Sequence, residues 1–244
     1  MIRRALLIGS PGLPGTKGYL EDMTKNDLNK IKNYLMSNNG GKWYDNEILL
    51  LDTNDINEVK KYINYVRNEH NDFVFCAFSG HGWYDGNRYS RVFEIGGNDL
   101  YENEFKQLSK KQLSIFDSCA EVYKPKILTE NKRFENVVAS MDSLDHKDYR
   151  EIYNNEIYKC HPQEISLYSS SVDEFSHTDE DLGGHFIHYL LDVGASNQTK
   201  NLDAIDTFLI TKEKMKNDRR NQTPSSSFPK SAKVFLPFSL GRYA

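Results

Sequence analysis

Along the first half of the chain, short apolar runs alternate with stretches whose apolar residues recur every three to four positions. That is the pattern of strands alternating with amphipathic helices. Residues 3–8 (RRALLI) read as a buried strand. After a loop rich in Gly and Pro, Asn26-Asp27 opens a helix with Leu28, Ile31, Tyr34 and Leu35 on one face, closed near Gly40-Gly41. Glu47–Leu51 form a second strand. Asp55 caps a helix with Val59, Ile63 and Val66 facing inward, and Phe73–Phe78 (FVFCAF) form a third strand buried on both sides. The Gly, Asn and Asp content between Trp83 and Asp99 predicts a hairpin, followed by a helix around Glu102–Leu108 and a fourth strand, Leu113–Phe116. Short connections of this kind favour βα units around a mainly parallel sheet, an α/β fold class.

Residues 121–164, rich in Lys, Asn, Glu and Tyr, read as a linker or insertion between a larger part, 1–120, and a smaller one, 165–244, of a single domain. Order returns with a fifth strand, Ile165–Tyr168, which ends in Ser169-Ser170-Ser171. Gly183-Gly184 introduces an apolar helix with Phe186, Ile187, Leu190 and Leu191. A helix from Asp203 to about Asn217, a Thr223-Pro224-Ser loop and a last strand near Lys233–Leu236 follow.

Composition narrows the setting. A chain of 244 residues, 38% hydrophobic, buries a core without staples, and its odd count of cysteines (Cys76, Cys119, Cys160) suits a reducing compartment, with the cytoplasm as default. No apolar run approaches the roughly 18 residues of a membrane span, and the N-terminal run is too short for a signal peptide, so no membrane partner is expected. A net charge of −4 gives no basic footprint for nucleic acid.

Candidate chemistry sits at two strand ends. FVFCAF runs into Ser79-Gly80-His81-Gly82, and LSIF into Asp117-Ser118-Cys119-Ala120. Reactive groups in open α/β sheets gather beyond the carboxyl ends of the strands, and neighbouring strands lie only about 4.8 Å apart. A cysteine attacks carbonyls as its thiolate, and a nearby histidine supplies the base. Small neighbours let a substrate approach, and the amides of Gly82 and Cys119 are placed to receive an oxyanion. Taken singly, a Cys reads as a small hydrophobe and a His as a structural residue. Cys76, in mid-strand, is such a case, whereas the pairing of His81 with Cys119 at two tips points to acyl transfer, amide hydrolysis above all.

The segments FVFCAFSGHG and LSIFDSCAE resemble the two signatures of the caspase-like cysteine peptidases, the prokaryotic and plant metacaspase branch in particular. RALLIG, Thr24-Lys25-Asn26-Asp27, Ser169–Ser171 with Asp173-Glu174, GGHFIHYLL and NQTPSSSFP extend the likeness along the chain. Where metacaspases continue Cys-His-Ser-Gly, this chain has Ala120-Glu121-Val122 after Cys119. The resemblance implies a three-layer caspase-like fold with a central sheet of about six strands, Cys119 as nucleophile and His81 as general acid/base. It also implies a regulated protease, in bacterial defence or cell-death signalling, acting on a protein or peptide substrate and held latent until a partner, a ligand or a cut orders its loops.

Charge then suggests the substrate. Asp117, two residues before Cys119, adjoins the pocket for the side chain preceding the scissile bond, and the resemblance brings Asp27, Ser79 and Asp173 or Glu174 to the same place. Carboxylates desolvated together repel, and a Lys or Arg side chain relieves that repulsion. Taken alone, Asp117 reads as a turn residue and Asp27 as a helix N-cap. The stretch containing Lys124, Lys126, Lys132, Arg133, Lys147, Arg150 and Lys159 is a candidate for self-processing, and equally a solvated basic insertion.

Other signals carry less. Gly9–Gly18 does not match a phosphate-binding loop, and no Gly-x-Ser-x-Gly elbow is present. His185 with His188, and Cys160-His161, lack further ligands at zinc spacing. No cofactor is expected; calcium at Asp179-Glu180-Asp181 is a weak candidate without the EF-hand ladder. Two rival functions remain open: a catalytically idle caspase-like interaction module, and a relative of the clostripain or separase type with a different specificity.

Overall fold

The computed structural model describes residues 1–16, 18–120, 148–179, 182–217 and 222–242. Its strands are β1 (Arg3–Ser10), β2 (Ile48–Asp52), β3 (Phe73–Gly80), β4 (Gly82–Asp85), β5 (Ser90–Ile95), β6 (Asn98–Tyr101), β7 (Lys111–Asp117), β8 (Gln163–Tyr168), β9 (Thr178–Asp179), β10 (Gly183–Gly184), β11 (Leu202–Asp203), β12 (Ser225–Ser227) and β13 (Pro237–Ser239). Its helices are α1 (Glu21–Met36), α2 (Ile56–Asn68), α3 (Tyr149–Lys159), α4 (His185–Ser196) and α5 (Ala204–Lys216). Six strands form the central sheet in the order β12-β8-β7-β3-β1-β2, parallel throughout except for β12.

The alternation along each strand sorts side chains into two cores. Ala5 and Leu7 of β1, Phe73 and Phe75 of β3 and Leu113 and Ile115 of β7 face one layer, completed by α1, α3, α4 and α5. Leu6, Ile8, Val74, Cys76, Phe78 and Phe116 face the other, covered by α2 and the antiparallel β4-β5-β6 sheet. On this second face Phe93 lies between Phe78 and Phe116, with ring centroids 4.7 and 4.9 Å away. Those two phenylalanines directly precede Ser79 and Asp117, so the stack fixes the strand ends from below.

Several local expectations shift. α1 starts at Glu21, so Asn26-Asp27 lies inside the helix and Asp27 is not its cap. Asp55 does cap α2, accepting from the Asn57 amide at 2.8 Å. The segment around Glu102–Leu108 is a short 3-10 turn, Glu102–Phe105. The predicted strand at Lys233–Leu236 is displaced to Pro237–Ser239, where β13 pairs with β11, and the serine loop after Pro224 supplies edge strand β12. Within 121–164, residues 121–147 lie outside the described residues, but 149–159 form α3, capped by Asp148 and seated by Tyr149, Tyr153 and Ile157. Their i, i+4, i+8 spacing is helical, while the polar residues between them dilute the signal. Arg150, counted among the candidate self-processing positions, is held here by a bidentate pair with Glu47 at 2.6 and 2.8 Å.

Candidate active site

The switch in strand order falls between β1 and β3, and the loops after β1, β3 and β7 open on the same sheet end. In the ladder Ser10 lies beside Gly80 and Ser79 beside Asp117. His81 and Cys119 each stand two residues beyond that last pair. Gly80 makes the turn possible: a Cβ there would lie 2.5 Å from the Ser10 carbonyl oxygen. The tail of β7 is tied to the tail of β8, with the Ser118 amide donating to Ser169 Oγ at 3.2 Å and the Ser169 hydroxyl donating back to the Ser118 carbonyl at 3.1 Å. Ala120 exchanges backbone bonds with the next loop, donating to Glu174 O at 3.0 Å and accepting from the Asp173 amide at 2.8 Å. The nucleophile candidate thus sits on a backbone braced from two sides.

His81 is braced by the loop after β1. Its carbonyl accepts from the Glu94 amide at 3.0 Å, and Gly12 and Gly18 flank the ring so closely that a Cβ on either would lie 3.1–3.4 Å from it. Nε2 is 2.5 Å from the Gly18 carbonyl, which can only accept. The proton is therefore assigned to Nε2, leaving Nδ1 to take up and release a proton. Cys119 is partly buried; its sulfur receives the Ser176 amide at 3.4 Å and lies 3.7 Å from the Ser176 carbonyl. His81 and Cys119 line one cleft of about 100 Å³, together with Leu20, Met23, Asp27, Ser79, Asp117, Ser118, Ser176, Thr178 and Gly184.

Two buried carboxylates form its floor. Asp27 accepts from the Ser79 hydroxyl at 2.7 Å and from the Gly184 amide at 2.9 and 3.1 Å. Asp117 accepts from the Ser176 hydroxyl at 2.5 Å and the Ile187 amide at 3.3 Å, near the start of α4. Gly184 is wedged between them, where a Cβ would lie 2.2 Å from Asp117 Oδ2 and 3.1 Å from Asp27 Oδ2. Burial, then the charge of Asp117, pushes Asp27 up to about 7. Burial also raises Asp117, against the bonds from Ser176 and Ile187. Among the described residues Lys30 lowers Asp27, but not enough to reverse its shift. A group that brings a positive charge into the cleft would relieve both.

The structure thus gathers His81, Cys119, Asp27, Ser79 and Asp117 in one place. Gly82 opens β4 against Ser118, and the alternation of the ladder directs its amide away from β5. Asp173 and Glu174 are not among the cleft-lining residues. Asp173 is exposed, with φ at +68°, and the Glu174 carboxylate accepts from the amides of Thr223 at 2.7 Å and Ser171 at 3.3 Å, tying its loop to the β12 segment. An acidic residue in a surface loop finds backbone donors more cheaply than a buried pocket. Sequence reasoning missed the Gly18 carbonyl and Ser176, whose parts are played by backbone position and by one serine among many. Gln222, in the NQTPSSSFP segment, carried a signal but no assigned contact.

Helices on both faces of a six-stranded sheet, with a cysteine and a histidine at the carboxyl ends of β7 and β3, define the caspase-like class. A caspase-domain family model matches residues 2–236, and the chain belongs to that family of cysteine peptidases, which act on protein and peptide substrates. No curated protein matches the chain in sequence. The crystal structure of caspase-1 from Spodoptera frugiperda is similar at a TM-score of 0.64 and 12% identity, over 99% of this chain and 90% of that one. At that identity the likeness concerns the fold. Among the described residues no helix is long and apolar enough to cross a membrane, and no three His, Cys, Asp or Glu side chains are grouped to hold a metal ion. Glu180 and Asp181, part of the calcium candidate, lie outside the described residues, as do Lys124, Lys126, Lys132, Arg133 and Lys147.

Proposed function

We propose that the protein is a metacaspase-type cysteine endopeptidase that cleaves after Lys or Arg, with Cys119 as nucleophile and His81 as general acid/base. The observation that carries the reading is the cleft itself: a thiol and an imidazole share it with two buried carboxylates. In the reaction, the Cys119 thiol gives its proton to His81 Nδ1 and the sulfur attacks the carbonyl carbon after the basic residue. The amides of Gly82 and Cys119 receive the oxyanion. Protonated His81 then gives its proton to the leaving amine as the C–N bond breaks, leaving a thioester. Water, deprotonated by His81, attacks that thioester and frees the acid and the thiol. Thiol, imidazole and water complete the cycle, so no cofactor is invoked.

Asp27 and Asp117 supply the specificity. One cationic side chain entering the cleft beside them offsets the burial and repulsion that raise the pair, and a guanidinium presents several donors to the carboxylate it reaches. Caspases that prefer aspartate need arginines in this place, and among the described residues the cleft lining contains none. The test is a fluorogenic peptide ending in Arg, offered to wild type and Cys119→Ala. Turnover confined to the wild type supports the reading; equal rates in both, or cleavage only after Asp, overturn it.

The pKa shifts predict a pH signature. A raised carboxylate is protonated below its folded value, so the cation site loses charge as pH falls through about 7, the Asp27 value. KM for an arginyl peptide rises below that point, by up to about tenfold per pH unit for one required proton loss. A neutral-residue analogue, measured by competition, shows no such rise.

We further propose a regulated role, in bacterial defence or cell-death signalling, in the cytoplasm. The support is the engaged state of the cleft, in which Ser176 contacts both Cys119 and Asp117.

A further inference from the structure

Ser176 reaches two functional groups at once. Its amide points at the Cys119 sulfur at 3.4 Å, and its hydroxyl donates to Asp117 Oδ1 at 2.5 Å. Behind it, Gln222 Nε2 donates to Ser176 Oγ at 3.3 Å and to the Ser169 carbonyl at 2.9 Å, while Gln222 Oε1 accepts from the His177 amide at 3.0 Å. Gln222 is 5% exposed, so this chain of bonds runs through the interior from the loop before β12 to the floor of the cleft. Asp117 is 4% exposed, so in the resting protein it is satisfied by the Ser176 hydroxyl and the Ile187 amide rather than by bulk water. With Ser176 in place the cleft has about 100 Å³, below the roughly 300 Å³ at which ordinary ligand pockets begin.

We infer that Ser176 is a specificity-determining residue that competes with the substrate: its hydroxyl occupies Asp117 in the resting protein, and a cationic side chain enters by taking its place. The inference rests on the reading of the cleft as a cation site. Gln222 sets the strength of the competition, because by donating to Ser176 Oγ it makes the hydroxyl a better donor to the carboxylate. The Ser176–Asp117 bond is charge-assisted whenever Asp117 is ionised, so its loss on substrate entry is a real deduction from affinity. A cation that cannot reach Asp117 gains nothing from displacing it. The device thus filters for long side chains bearing a full charge at the end, and it rejects neutral ones, which leave Asp117 Oδ1 without a donor once Ser176 has moved, the Ile187 amide serving only Oδ2.

The experiment is calorimetric titration of benzamidine into Cys119→Ala protein at pH 8, with and without Ser176→Ala. Cys119→Ala removes turnover from the measurement, and thermal melts verify folding. Removing the hydroxyl is expected to tighten benzamidine binding about tenfold, while Ser176→Thr, which keeps a hydroxyl, stays near the parent value. Should Ser176→Ala fail to fold, Ser176→Cys, similar in size and a weak donor, carries the same expectation with a smaller gain. In the active enzyme, the same change lowers KM for an arginyl peptide more than it alters kcat. Unchanged or weaker binding after loss of the hydroxyl overturns the role of Ser176 while leaving the cation site standing. Absence of binding to any variant, the parent included, overturns the cation site and this inference with it.

Discussion

Asp117→Asn lowers kcat/KM for an arginyl peptide by about three orders of magnitude, as expected when one member of a buried charge pair loses its counterpart at about 3–5 kcal/mol. The fold survives the change. An amide oxygen in place of Oδ2 still accepts from the Ile187 amide, and the new NH2 faces Ser176 Oγ, which accepts as readily as it donates. The melting temperature is therefore held or raised, because a carboxylate whose pKa burial has raised no longer has to be kept charged in the interior. The loss falls mainly on KM, and a peptide with a neutral residue before the cut is not improved to the parent's arginyl rate. Steady-state kinetics beside a melt separate this outcome from unfolding. A variant that cleaves the arginyl peptide at the parental rate would remove Asp117 from the substrate site.

His81→Ala has an effect of comparable size: kcat falls by about two to four orders of magnitude, the usual contribution of a positioned acid/base, with KM little changed. The reason is double. His81 takes the thiol proton and later protonates the leaving amine, and only the second task depends on the leaving group. An activated arginine ester, whose leaving group departs without a proton, thus loses less than the amide does. Gly18 enters here as well, since its carbonyl holds the ring by Nε2 and leaves Nδ1 as the nitrogen that exchanges the proton. Equal losses on ester and amide would confine His81 to activating the thiol.

Much of this was legible along the chain because the two tips repeat one design. In FVFCAFSGHG and LSIFDSCAE an apolar strand buried on both faces gives way to small and polar residues, and such a break marks the carboxyl end of a core strand. The parallel order of β1, β2 and β3 follows from the helices α1 and α2 between them, whereas β3 and β7 are joined through the β4-β5-β6 sheet and a 3-10 turn. Legibility stopped where tertiary contacts override local pattern. Asp27 carries the signature of a cap, yet lies inside α1 facing the Gly184 amide, a partner 157 residues away. α3 hides among Lys, Glu and Asn because three aromatic and aliphatic residues suffice to seat it on a core supplied by other elements. Of the loop acids, neither Asp173 nor Glu174 lines the cleft, and the Glu174 carboxylate satisfies the backbone amides of Thr223 and Ser171. Ser176 had no distinguishing mark, since its importance comes from where the tail of β8 is pinned.

The most direct test of a thiol working beside a cation site is covalent: an arginyl chloromethyl ketone incubated with the protein, followed by intact mass and peptide mapping. One equivalent bound, located on Cys119, lost in Cys119→Ala and strongly slowed in Asp117→Asn, is the predicted result. Labelling spread over Cys76 and Cys160, or an aspartyl ketone that labels Cys119 as fast as the arginyl one, would contradict it.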